Sequence, residues 1–229
     1  MKLIITAGGT SERIDDVRSI TNTSTGRLGH AIGTHLLEHY GQELDALYYL
    51  HGLRAQPVTG SKVTVVPVEG VRDLEQELCR ILKEEKIDAV IHAMAVSDYM
   101  VKEVTTLERI RQGETAGLEG NKISSNIDDL TIVMQRSPKV IGHIKKWSPE
   151  TTLVGFKLLS HVPHEELIEV GHSLLKKNGC SFVLANDLEE IGAGRHKGYL
   201  IHADKTYDTM ETNEEIAAMI AKRIWEERK

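Results

Sequence analysis

The chain has 229 residues, about 40% of them hydrophobic, which suits one α/β domain with a sizeable core. Its formal net charge is −6, both signs are mixed along the chain, and no basic run exceeds Lys145-Lys146, so nucleic acid is not an expected partner. Cys79 and Cys180 match no metal or redox spacing, no apolar stretch is long enough to span a bilayer, and Leu3-Ile4-Ile5 is too short for a signal-peptide core. A cytoplasmic protein with reduced thiols and no membrane partner is expected.

Lys2–Thr6 reads as a buried first strand and Arg27–His39 as a helix, with Leu28, Ile32, His35, Leu36 and His39 at helical spacing. Ala46–Leu50 and Val63–Val66 are the next strands, Val71–Glu85 an amphipathic helix, and Ala89–His92 a strand that runs at once into the loop Ala93–Tyr99. The stretch Val101–Lys122 is polar, rich in charge and glycine, and without core periodicity; a loop of that length inside a compact domain is expected to be a mobile lid. Then come a strand (Leu130–Met134), a helix (Pro138–Trp147), a strand (Thr152–Phe156), a helix (Glu165–Lys177) and a strand (Phe182–Leu184). A hairpin of Gly198–His202 with Thr206–Thr209 precedes a C-terminal helix from Asn213, with Thr212 as N-cap and Glu215 completing a capping box. The alternation predicts one domain over residues 1–229: a Rossmann-like, doubly wound α/β fold with a mostly parallel sheet and helices on both faces.

Chemistry is concentrated in the first strand–helix unit. Thr6-Ala7-Gly8-Gly9-Thr10 follows the first strand, where a doubly wound sheet binds ligands, and glycines there let backbone amides approach a phosphate. A second cluster, Thr23-Ser24-Thr25-Gly26-Arg27-Leu28-Gly29, opens the first helix, whose amides and positive dipole end suit an anion. A nicotinamide-dependent oxidoreductase fits poorly. No G-x-G-x-x-G occurs, the second strand ends in His51-Gly52 rather than an acid for a ribose, and Tyr99 and Lys102 are three apart instead of the four of a short-chain dehydrogenase pair. His35-Leu36-Leu37-Glu38-His39 matches the H-x-x-E-H of a zinc peptidase. It lies ~9–15 Å along the helix from Gly29, away from the anion site, and reads more simply as a half-buried helix face; no metal ligands are expected from the protein.

The segment Thr6-Ala7-Gly8-Gly9-Thr10-Ser11-Glu12, followed by Ile14-Asp15, Val17-Arg18, Ile20-Thr21-Asn22, Ser24-Thr25-Gly26-Arg27 and Gly29, closely resembles the opening of phosphopantothenoylcysteine synthetases. Ala95-Val96-Ser97-Asp98-Tyr99, then Lys122-Ile123 with Pro138-Lys139, then Gly155-Phe156-Lys157 with Ala185-Asn186-Asp187 follow in the family's order. The resemblance spans nearly the whole chain, and with Met1 opening on the first strand the stand-alone form is expected.

The resemblance implies a two-step ligation in coenzyme A assembly. The carboxylate of 4′-phosphopantothenate attacks the α-phosphate of a nucleoside triphosphate, giving an acyl-nucleotidylate and releasing pyrophosphate, and the amine of cysteine then displaces the nucleoside monophosphate to form the amide. It implies Mg²⁺ accompanying the triphosphate, CTP rather than the alternative ATP, and a homodimer with shared active sites. Carried onto this chain, Lys122 is the lid lysine, and Asn22 is the asparagine whose amide donates to the acyl oxygen and accepts from the incoming amine. Gly8, Gly9, Ser24, Gly26, Gly29, Phe156 and Asn186 fall where the family holds nucleotide. Ala95 and Asp98, together with Asn22, fall where it holds the pantothenate arm, and Arg18 where an arginine reaches the 4′-phosphate of the neighbouring subunit's substrate. Met94, Leu174, Asn178 and Lys157 depart from the pattern of bacterial members. A non-catalytic nucleotide sensor on the same fold would need the glycines but not Lys122.

Overall fold

The computed structural model describes residues 1–114, 117–118, 120–192 and 195–227. Strand β1 (Lys2–Ala7) leads into a small antiparallel hairpin, β2 (Ser11–Arg13) and β3 (Ser19–Thr21), and then into helix α1 (Arg27–Tyr40). Next are β4 (Ala46–Gly52), β5 (Val63–Val68), α2 (Val71–Glu84) and β6 (Ala89–His92), followed by β7 (Tyr99–Thr106), α3 (Leu107–Arg111) and β8 (Leu130–Arg136). The alternating pattern resumes with α4 (Ile141–Trp147), β9 (Thr152–Leu159), α5 (His164–Asn178) and β10 (Phe182–Asp187). The chain closes through β11 (Ile191–Gly192), β12 (Arg195–His196), the hairpin β13 (Gly198–Ile201) and β14 (Tyr207–Met210), and α6 (Asn213–Glu226).

Eight strands form the main sheet in the order β14-β13-β10-β9-β6-β1-β4-β5, parallel from β10 to β5, with the C-terminal hairpin added antiparallel at the β10 edge. Helices cover both faces, as expected of a Rossmann-like α/β fold. Strand periodicity divides the core: Leu3, Ile5 and Ala7 of β1 pack under Ile32 and Leu36 of α1 and Ile216 and Ile220 of α6, whereas Ile4 faces Leu74 and Leu78 of α2 and Ile144 of α4. Burial of these aliphatic side chains, each contributing roughly 1.5–3 kcal/mol, fixes the sheet register and so the positions of the loops at its carboxyl edge.

Three features differ from the sequence-based expectation. The first half of the expected lid is regular: Val101–Thr106 belongs to β7 and Leu107–Arg111 to α3. Strand β7 pairs antiparallel with β8 in a two-stranded arm separate from the main sheet, with a bulge between Val101 and Glu103. One side of the arm faces solvent, so charges at Lys102 and Glu103 are tolerated and the apolar alternation that marks a core strand is blurred. Thr115, Ala116 and Glu119 of the expected lid lie outside the described residues. The segment Ser11–Thr21, given no element in advance, is the β2–β3 hairpin, and the helix expected from Pro138 begins at Ile141.

Candidate functional site

Chain order turns from one side of β1 to the other between β4–β5 and β6, so the switch point of the sheet lies between β1 and β6. Loops leaving the carboxyl ends of two such strands diverge and frame a crevice in doubly wound folds. Here they run side by side. Ala93 N–H donates to Thr6 O (3.1 Å), Ala95 N–H to Gly8 O (2.8 Å) and Thr10 N–H to Ala95 O (3.1 Å), with Gly9 bridged to Ala95.

Gly8 (φ 84°) and Gly26 (φ 75°) both adopt the left-handed region, where a side chain is strained. A Cβ at Gly8 would stand 2.7 Å from Ala55 Cβ; one at Gly26 would stand 2.7 Å from the same atom and 2.9 Å from Gly8 N. The two glycine clusters therefore close on each other against one wall, Ala55, which the β4–β5 loop supplies. Gly9 packs against Asn22 and Gly29 against Ala7 just as tightly, which sets the entry of α1 hard against the end of β1. Gly26 caps α1 without any side-chain hydrogen bond, so its first-turn amides are open to an anionic ligand. Ser24 is half-buried beside them.

Asn22 follows β3 and lies across the β6 loop. Its backbone N–H donates to Thr10 O (3.1 Å), and its Nδ2 donates to Ala95 O (2.9 Å) and Ser97 Oγ (3.2 Å). Both amide hydrogens are therefore engaged within the protein, in contrast to the expected donation to an acyl oxygen. Among the described residues no protein group donates to Asn22 Oδ1, which leaves it an open acceptor. Ser97 N–H donates to Thr10 Oγ1 (2.9 Å), Ser137 Oγ donates to Ser97 O, and Lys139 pairs with the exposed carboxylate of Asp98. Beneath this layer the buried His92 ring meets Thr6 Oγ1 through Nδ1 (2.9 Å), while Thr6 Oγ1 accepts from Met94 N–H (3.2 Å). Burial lowers the His92 pKa to about 4, so the ring is neutral at pH 7.

The turn of the β2–β3 hairpin reaches the segment around Lys122. Asp15 Oδ1 accepts from Val17 N–H (3.0 Å) and Arg18 N–H (2.8 Å), and its Oδ2 accepts from Arg18 Nε (3.0 Å), Arg18 Nη2 and Ile123 N–H (3.1 Å). Arg18 Nη2 also donates to Ile123 O (2.9 Å), and Asp16 N–H donates to Asn121 O (3.0 Å). Hydrogen bonds from the Arg18 guanidinium and from backbone amides hold the Asp15 carboxyl well below the usual carboxylate range. Lys122 itself is exposed. Ile14 and Ile123 also line an open cleft of about 470 Å³ alongside β7.

Phe156 and Asn186 lie on the same carboxyl edge, on β9 and β10, farther from β1. Phe156 is half-buried against the core; Asn186 is buried with its Nδ2 2.8 Å from His196 Nε2. The structure thus brings Gly8, Gly9, Asn22, Gly26, Gly29 and Ala95 into one cluster, with Asp98 at its rim, Arg18 and Lys122 on an adjoining one, and Phe156 and Asn186 along the edge. The rings of His35 and His39 lie against each other, tilted by 40° with centroids 4.3 Å apart, on α1 near the Tyr40–Trp225 contact. Among the described residues no group of three or more His, Cys, Asp or Glu side chains could hold a metal ion. Sequence reasoning missed Asp15, Thr6, Thr10, Ala55, His92 and Ser97. The only available signal was their place inside or beside the recognised motifs, because each acts through a partner far away in the chain.

Comparison with known proteins places these residues in context. The family model described as "DNA/pantothenate metabolism flavoprotein C-terminal domain" matches residues 1–227. The coenzyme A biosynthesis bifunctional protein CoaBC of Thermococcus kodakarensis is 31% identical over 229 residues, covering 99% of this chain and 50% of that protein. The protein of the same name from Borreliella burgdorferi is 26% identical, covering 98% and 52% respectively. The chain spans about half the length of the curated relatives it matches. A crystal structure of a DNA/pantothenate metabolism flavoprotein from Streptococcus pneumoniae superposes with a TM-score of 0.87 at 33% identity, covering 98% of each chain. No helix among the described residues is long and apolar enough to cross a membrane.

Proposed function

The chain belongs to the family of the DNA/pantothenate metabolism flavoprotein C-terminal domain, and from that membership we propose that it is a phosphopantothenate–cysteine ligase acting in coenzyme A assembly. The observation that carries the proposal is the fusion of two half-sites. The glycine cradle of Gly8 and Gly26, suited to phosphate, shares the Gly8–Thr10 backbone with the Asn22–Ala95–Ser97 layer, suited to a polar acyl substrate. A reaction between a carboxylate and a nucleotide α-phosphate needs those two surfaces within one crevice, because activation brings two anions together. The names of the relatives, which carry coenzyme A biosynthesis, support the same reading.

In this reading the α1 amides and Gly8–Gly9 hold the triphosphate of CTP, with ATP as the alternative, and Phe156 and Asn186 border its nucleoside. Ser24 lines the phosphate side. Ala95 and Asp98 hold the pantothenate arm, and Lys122 offsets negative charge as the acyl-nucleotidylate forms. Mg²⁺ fits as an ion delivered on the triphosphate, since a nucleotide-bound Mg²⁺ keeps several waters and needs few protein ligands; it would supply charge neutralisation there. Asn22 Oδ1 accepts a hydrogen bond from the cysteine amine and orients it, while Nδ2 holds Ala95 in place.

The assay is pyrophosphate release with CTP or ATP, with and without 4′-phosphopantothenate, followed by amide formation on adding cysteine. A nucleotide sensor would show no release that depends on 4′-phosphopantothenate. Asn22→Asp should still release pyrophosphate but form amide on the order of 10²-fold more slowly, accumulating acyl-nucleotidylate in the quenched mixture by mass spectrometry. Amide formation at the wild-type rate would overturn the role given to Asn22.

A further inference from the structure

Both residues flanking Lys122 are tied to the turn of the β2–β3 hairpin. On one side Asn121 O accepts from Asp16 N–H (3.0 Å); on the other, Ile123 donates its N–H to Asp15 Oδ2 (3.1 Å) and accepts from Arg18 Nη2 (2.9 Å). These contacts join residues more than a hundred positions apart. The Asp15 side chain is only 1% exposed, and its two oxygens receive five donors, more than a hairpin turn needs to close. Ile123 is buried at 6% exposure, and its backbone N–H and C=O are satisfied by Asp15 and Arg18. The same hairpin continues through β3 straight into Asn22.

We propose that Asp15 is a positioning residue: with Arg18 it clasps the backbone of Asn121–Ile123 and so fixes where Lys122 stands relative to Asn22 and the glycine cradle. The inference rests on the ligase reading for what Lys122 does, but the clasp itself is a property of the fold. Without the Asp15 carboxylate, Arg18 loses the partner that orients its fork, Ile123 N–H loses its acceptor, and the Lys122 segment keeps only the Asp16–Asn121 bond. Lys122 would then sample many positions, and a charge that is not preorganised stabilises a transition state poorly.

Two measurements test this, each with Asp15→Asn, which keeps volume, and Asp15→Ala. The first is amide hydrogen exchange with residue resolution. Ile123 should exchange at least about tenfold faster in both variants while amides of β1 and β6 keep their protection; unchanged exchange at Ile123 would overturn the clasp. The second is a double-mutant cycle on pyrophosphate release. Asp15→Asn should lower kcat on the order of tenfold with the nucleotide KM within about twofold, and should change kcat by less than about twofold when Lys122 is already alanine. Independent, multiplicative effects would overturn the positioning role. A wild-type protein that releases no pyrophosphate would sink the ligase reading alone, because the exchange measurement still decides the clasp.

Discussion

His92 sits under the candidate site as a buried, neutral imidazole. The Thr6 hydroxyl, which already accepts from Met94 N–H, is free to donate to its Nδ1. Burial depresses its pKa from 6.5 to about 4. The folded protein therefore resists protonation that the unfolded chain accepts. Stability from this group is fully present above pH 6.5 and declines as pH falls from 6.5 towards 4, by up to about 3 kcal/mol. Urea unfolding of wild type and His92→Asn at pH 7 and pH 4.5 checks it: between the two pH values the wild type should lose about 2 kcal/mol more than the variant, and parallel losses would refute the assignment. What could be read of the site residues follows the same logic. The placing of Gly8, Gly26 and Asn22 in one cluster was legible because their signals are local, glycines at a strand end and a helix start and an amide between the two turns. His92, Thr6 and Asp15 act through groups 86 to 108 positions distant, and nothing in their own neighbourhoods announces that.

At the level of elements, pieces carrying an apolar run or a helical apolar spacing were legible, and pieces without either were not. Helices α1 and α2 bury one clear face, and strands β1 and β13 are buried on both, so apolar spacing reveals the helices and short apolar runs reveal the strands. Strand β7 and the β2–β3 hairpin bury little and are held by pairing that periodicity does not record, whereas β8, the partner of β7, was marked by the run Leu130–Met134. The C-terminal helix shows how fine the local signal can be. Thr212 Oγ1 accepts from Glu215 N–H (3.2 Å) as expected, but Glu215 reaches back to Glu211 N–H (2.7 Å) rather than to Thr212, so the box closes one residue early. Helix α6 packs against α1 through Tyr40 and Trp225 at the face opposite α2 and α4. Thr212→Ala should therefore cost about 1 kcal/mol of global stability by denaturant titration. A stability loss below a few tenths of a kcal/mol would show that the cap is redundant.

For the whole molecule, the exposed edge of Arg18 bears on how many chains complete a site. Arg18 offers one edge of its guanidinium, Nε and Nη2, to Asp15 and Ile123 of its own chain. Among the described residues Nη1 has no protein acceptor, and the side chain is 39% exposed. Arg18 also lies only four residues before Asn22 in the chain, yet the substrate that Asn22 is proposed to hold by its acyl end is long and extended, with its phosphate at the other end. We expect the free edge of Arg18 to take that phosphate from the site of a second copy across a two-fold axis, where an arginine from each chain can complete the other's site. Arg18→Ala and Asn22→Ala should each be nearly inactive alone. Unfolded and refolded together in equal amounts, about half of the dimers are mixed, and each mixed dimer carries one site with both defects and one with neither, so about a quarter of all sites regain both side chains. The regained site lies in the chain that lacks its own Arg18. It keeps the Asp15–Ile123 and Asp16–Asn121 bonds but loses the Arg18–Ile123 bond, so recovered activity should rise well above either variant and reach at most about a quarter of wild type. Activity that stays at the level of the separate variants, with mixed dimers demonstrated by native mass spectrometry, would place Arg18 and Asn22 in the same chain's site and leave the arginine with its clasping role alone.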